Sequence, residues 1–160
     1  MSGITEVFVA THDAAVQRAA ALDKALEAVG EGGAQVEIPD APHTRINGIT
    51  DWEIERLGQL AGQAVHSVGD DELAIADVAS ETLYVAPESM VRALADLLAE
   101  TSDDGAPVLP DVAAAWASEE DMPLNGDAAV ESVKRIGELA ADAAEDGRQQ
   151  LYIWSGTESV

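Results

Sequence analysis

Histidine is the side chain best suited to proton transfer near neutral pH and to metal ligation. This chain has three, His12, His43 and His66. No two of them stand at the spacing of an HExxH zinc motif, so no metal site is expected. His43 has the most polar company. Asp40 and Arg45 flank it in a stretch bounded by Pro39 and Pro42, and loops of this kind often carry catalytic groups. A merely polar loop is the commoner reading. His12 is expected near a helix start and His66 near a helix end. Cysteine is absent, which removes disulfides, thiolate metal sites, iron–sulfur ligation and thiol nucleophiles together.

Carboxylates are abundant, 31 Asp and Glu in 160 residues. Paired acids are the raw material of general acid–base chemistry, but at this density chance alone supplies many pairs. Asp70-Asp71-Glu72 and Ser102-Asp103-Asp104-Gly105 could hold calcium weakly. Neither has the spacing of a calcium loop with its central glycine and terminal glutamate. Gly30-Glu31-Gly32-Gly33 follows a helical pattern rather than a strand and carries an acid. It is therefore a helix stop and not a phosphate cradle. No serine lies in a GxSxG elbow. Trp52, Trp116 and Trp154 could line a pocket. With one phenylalanine in the chain, they read more simply as bulky anchors of an alanine-rich core. No catalytic residue and no cofactor is expected.

The formal net charge is -23, from 31 acids against 8 Lys and Arg. Such a field repels nucleic acid and anionic membranes and attracts basic surfaces. The excess is uneven. Residues 1–69 carry ten acids and four bases, residues 70–110 ten acids and Arg92 alone, and residues 111–147 ten acids against Lys134 and Arg135. The densest run in an expected loop is Glu119-Glu120-Asp121, and Asp103-Asp104 forms a second acidic turn. These five residues are the candidate partner-binding site.

The elements that position these residues follow from periodicity. Ile4 to Val9 reads as an opening strand. Val16, Ala19, Leu22, Leu26 and Val29 recur at helical spacing over residues 13–29. Gln35-Val36-Glu37-Ile38 reads as a strand, and the stretch through His43 to Gly48 as a loop. Thr50-Asp51-Trp52-Glu53 is a capping-box pattern that opens a helix to about Val68, with Ile54, Leu57, Ala61 and Val65 inward. Leu73–Val78 and Thr82–Val85 read as a hairpin. Pro87 suits the first helical position of a helix to Glu100 that buries Val91, Leu94, Leu97 and Leu98. Thr101 to Pro110 reads as a loop, and Asp111 as the cap of a short helix through Trp116. Asp127 reads as the cap of the last long helix. There Val130, Val133, Gly137, Ala140 and Ala144 face in, and Glu131 and Arg135 form an exposed i,i+4 pair. Gln150 to Trp154 closes the fold as a strand. Leu151 and Ile153 lie on one face and Tyr152 and Trp154 on the other, the pattern of a strand interior to its sheet.

Leu83-Tyr84-Val85-Ala86-Pro87-Glu88 runs a strand directly into a helix, and Asp142 to Trp154 runs a helix through Asp146-Gly147 into the closing strand. With Trp116-Ala117-Ser118-Glu119-Glu120 between them, this order resembles uncharacterised proteins of actinobacteria, which in turn are similar to the YfbM-like family of unknown function. The resemblance covers mainly residues 72–154. Ile4 to Val9 followed by Asp13-Ala14-Ala15 also suits it. It implies an α+β domain and supplies no catalytic residue.

The expected architecture is a single α+β domain over residues 1–154, about four helices packed on a small mixed sheet, with a polar carboxy-terminal tail at 155–160. No signal peptide or membrane span is expected, because the first residues lack a basic start and no apolar run is long enough. A cytoplasmic location follows. The expected function is that of a non-enzymatic acidic protein engaging a basic protein partner, of inhibitor, immunity or nucleic-acid-mimic type. The alternative is a solvent-adapted domain with small-molecule binding or an enzymatic activity. The oligomeric state is not legible.

Overall fold

The structure, a computed structural model, describes residues 2–28, 41–65, 73–75, 82–119 and 126–158. The expected strand at 35–38, His66, Asp70-Asp71-Glu72, Glu120 and Asp121 lie outside the described residues.

The chain forms an α+β domain in the order β1 (Ser2–Ala10), α1 (His12–Ala28), β2 (His43–Asn47), α2 (Asp51–Ala64), β3 (Ala74–Ile75), β4 (Leu83–Val85), α3 (Glu88–Leu97), α4 (Leu109–Ala117), α5 (Gly126–Glu145) and β5 (Gln150–Glu158). The strands lie in the order β2-β1-β5-β4-β3. Every described pairing is antiparallel, so the sheet is not the mixed one expected. β5 enters between β1 and β4, with Val7 opposite Ile153 and Tyr84 opposite Ile153 on its other side. That central place accounts for its apolar residues on both faces. β5 runs to Glu158, which pairs with Ser2. Residues 155–158 therefore belong to the sheet and not to a tail.

Alternation along β1 and β5 divides the core in two. Val7, Val9, Leu151 and Ile153 pack against α2–α5. Phe8, Ala10, Tyr152 and Trp154 pack against α1 through Ala15, Ala19 and Leu22. The sheet is thus sandwiched between one helix and four.

The stretch from His43, expected as a loop, is an edge strand: Arg45 lies opposite Glu6 and His43 opposite Phe8. α2 begins as its sequence requires. Thr50 Oγ1 accepts the Trp52 amide, and the Thr50 amide donates to Glu53 Oε2 at 2.9 Å. α4 starts earlier than expected, with Val108 at the cap position and Asp111 inside the first turn. Asp127 is likewise inside the first turn of α5. α3 crosses α5 at Gly137. A Cβ there would lie 2.8 Å from Leu98 Cδ2 and 3.0 Å from the Leu94 carbonyl oxygen, so the close approach requires glycine.

Candidate functional site

Glu6 is the most deeply placed charge among the described residues. Strand alternation puts it on the same face of β1 as Phe8, toward α1, and its side chain is 0 % exposed. A carboxylate removed from water needs partners. Arg18 on α1 donates Nε to Glu6 Oε1 at 2.7 Å and brings a second guanidinium nitrogen to the same oxygen. Arg45 on β2 donates to Oε2 at 3.1 Å. The Arg18 guanidinium also lies 5.4 Å from the Phe8 ring centroid, and Phe8 stacks on Tyr152 at 5.8 Å. Both carboxylate oxygens are engaged and no solvent reaches them. The cluster ties α1 and the edge strand to β1 and offers a substrate no approach.

A second polar knot closes the other end of α1. Asp23 Oδ1 accepts from Thr82 Oγ1 and from Trp154 Nε1, each at 2.9 Å. It lets the indole of a buried tryptophan satisfy its N–H. Trp116 does the same across the helical layer by donating to the Glu53 carbonyl at 2.9 Å. These two tryptophans are core residues, 0 % and 2 % exposed. Trp52 is not. It stands 64 % exposed on the first turn of α2, which corrects the expectation that all three anchor the core. Its helix buries Ile54, Leu57, Gly58 and Ala61, and Trp52 is off that face.

The histidines are not gathered into a site. His12 and His43 are exposed, and a His43 ring nitrogen contacts the Ala41 carbonyl at 2.8 Å. Arg45, expected beside His43, is committed to Glu6. No group of His, Asp and Glu among the described residues could hold a metal ion. Asp51 and Tyr84 interact electrostatically. Burial pushes the Asp51 carboxyl pKa up, the Glu53 charge adds to this, and the hydrogen bond to its own backbone opposes it. Burial also raises the Tyr84 pKa, and the Asp51 charge adds to it. A cleft of about 440 Å³ opens elsewhere, between the start of α3 and the end of α5. Val85, Ala86, Val91, Ala143 and Ala144 supply its apolar lining, and Glu88, Arg92, Gln149 and Gln150 the polar part. Arg92 and Glu88 pair with each other at 2.6 Å, and Gln150 Oε1 accepts weakly from the Tyr152 hydroxyl at 3.4 Å.

Asp103 and Asp104 are exposed in the turn between α3 and α4, which Gly105 closes at φ 81°. Glu119, just past α4, is not a free loop acid. It accepts from Arg56 Nε at 2.6 Å and so fastens α4 to α2. The two described parts of the candidate patch stand on either side of α4 in the chain.

The acidic surface is broader than those five residues. On α3–α5 and their connections, Asp96, Asp103, Asp104, Asp111, Asp127, Glu131, Asp142, Glu145 and Asp146 are exposed and make no ion pair among the described residues. Among the described side chains of α1, Asp13 and Lys24 are exposed. No helix of the described residues is long and apolar enough to cross a membrane. Comparison with protein-family models, curated proteins and solved structures returns no match.

Proposed function

We propose that this chain is an interaction protein with no chemistry of its own, whose acidic helical face engages a basic protein partner. An inhibitor, an immunity protein or a nucleic-acid mimic would each use such a face. The observation that carries this reading is the run of exposed carboxylates outside ion pairs on α3–α5 and their connections, nine of them among the described residues against the exposed cations Lys134 and Arg148. Adaptation to a salty solvent calls for an amount of charge. A partner calls for charge in a place, because complementary potentials steer encounter and set orientation. Kinship with the YfbM-like proteins is part of the same proposal and adds no catalytic residue to it.

The test is affinity capture from the native host, followed by association rates at two salt concentrations. One variant neutralises Asp96, Asp103, Asp104, Asp142 and Glu145 to Asn or Gln. A control of equal charge neutralises Asp13, Glu27, Glu31, Glu37 and Asp40. The helical-face variant should associate more slowly and with a weaker salt dependence, and the control should not. Equal effects would show that only net charge matters and would return the protein to solvent adaptation. Capture of no basic partner would do the same.

A further inference from the structure

An acidic face steers a partner but does not hold it. Complementary charge acts mainly on the encounter rate, whereas affinity concentrates in a few rigid anchors, among which tryptophan is prominent. Among the described residues the large exposed apolar side chains are Trp52 and Leu98, at 64 % and 37 %. Leu98 is engaged with α5 at Gly137. Trp52 belongs to neither core cluster of the described residues. It stands off the buried face of α2, at a position that any good helix former would fill.

Two features fit Trp52 to a cationic partner. The first is preorganisation. Its amide donates to Thr50 Oγ1 at 3.3 Å, and Thr50 is bonded to Glu53 through both amide and hydroxyl, at 2.9 and 2.7 Å. The backbone under the indole is already ordered, so binding has little left to fix there. The second is the sign of the surroundings. Asp51 precedes Trp52 and Glu53 follows it in the first turn of α2. The cation at i+4, Arg56, is matched by Glu119 at 2.6 Å. A guanidinium suits an exposed indole better than an ammonium because it is planar, weakly hydrated and stacks on the ring face.

We propose that Trp52 is the anchor of the partner contact and takes an arginine side chain of a basic protein on its exposed ring. This rests on the acidic-interaction reading above. A second copy of this chain is disfavoured as occupant by the self-repulsion of two molecules at -23 each.

The test uses the whole chain and two labelled probes of equal charge, oligoarginine and oligolysine, followed by anisotropy at low salt. The wild type should prefer oligoarginine. Trp52→Ala should weaken oligoarginine about three- to tenfold and abolish the preference, while Trp52→Phe keeps part of it. Because the side chain is exposed, the melting temperature of both variants should stay within about 2 °C of wild type. Neutralising Asp96, Asp103, Asp104, Asp142 and Glu145 should weaken both probes alike. If Trp52→Ala binds both probes as wild type does while the neutralised variant binds weakly, the anchor is refuted and the acidic reading stands. If the neutralised variant also binds as wild type, or neither probe binds, both fall. Sedimentation and flotation with phosphatidylcholine vesicles cover the other occupants. Self-association or vesicle binding that disappears in Trp52→Ala would overturn the proposal.

Discussion

Replacing Glu6 by Gln removes one negative charge without leaving a cavity, and the structure says what that should cost. The carboxylate is 0 % exposed, and Arg18, its nearer partner, has a side chain only 5 % exposed. Removing one member of a buried ion pair costs about 3–5 kcal/mol, because the other charge stays in the low-dielectric interior. Arg45 is 47 % exposed and can turn to water, so the lower end applies, about 3 kcal/mol. For a chain of this length that lowers the melting temperature by about 6–12 °C. The exposed pair Arg92–Glu88 is the control. Its side chains are 70 % and 78 % exposed, and Glu88→Gln should cost less than about 0.5 kcal/mol. Urea unfolding followed by circular dichroism measures both. About 1 M potassium chloride, which shrinks the Debye length to about 3 Å, should leave the Glu6 deficit in place. A loss below about 1 kcal/mol, or one equal to that of Glu88→Gln, would refute the view that the cluster locks α1 and β2 to the sheet.

Three further outcomes are expected. The melting temperature should rise between about 0.1 and 1 M potassium chloride, and by more than for a near-neutral domain, because screening relieves carboxylate repulsion; a flat or falling trend contradicts this. Gly137→Ala should cost about 1–3 kcal/mol, read as a lower urea midpoint, since its methyl group meets Leu98 and the Leu94 carbonyl where α3 and α5 touch. Asp51→Asn should stabilise the fold at neutral pH by less than about 1 kcal/mol. The raised folded-state pKa means that the protonated carboxyl's advantage is present at low pH and is lost as pH rises through that pKa. The gain from Asn should therefore vanish on acidification, as melting curves at neutral and acidic pH will show.

Strong periodicity and caps made most of the fold legible. β1, α1, the capping box at Thr50, the β3–β4 hairpin and the two-faced β5 are where the pattern puts them. β2 was hidden because its two faces answer to different partners. Ile46 enters the apolar core, whereas Arg45 answers to Glu6 on the opposite face, so its alternation reads as a polar loop. On α5, alanine gives no phase information. Ala143 is buried and Ala144 exposed, the reverse of the expectation, because the buried stripe runs through Ala129, Val133, Ile136, Ala140 and Ala143. With the helix rotated this way, Arg135 meets Glu138 at 3.5 Å rather than Glu131. The site was less legible. The commitment of Glu119 to Arg56 spans 63 residues in sequence, and nothing local to either residue announces it. The exposure of Trp52 was signalled weakly, by its place outside the Ile54–Leu57–Ala61 stripe.

The arginines help explain how so acidic a chain folds. Arg18 and Arg45 close on Glu6 inside the α1 layer, and Arg56 joins α2 to the end of α4 through Glu119. Arg92 and Arg135 pair within their own helices. Three arginines thus serve a buried carboxylate or a junction between two elements, and two pair on exposed helix surface. The exposed acids of α3–α5 are left to water. There each like-charged contact at about 4 Å costs only about 1 kcal/mol, a burden the fold can bear where a buried one would be prohibitive. The resulting field is felt only to about a Debye length, about 8 Å at physiological ionic strength. A partner drawn in by it must then be held by something that salt does not screen. Among the described residues, the exposed indole of Trp52 is the anchor proposed for that role.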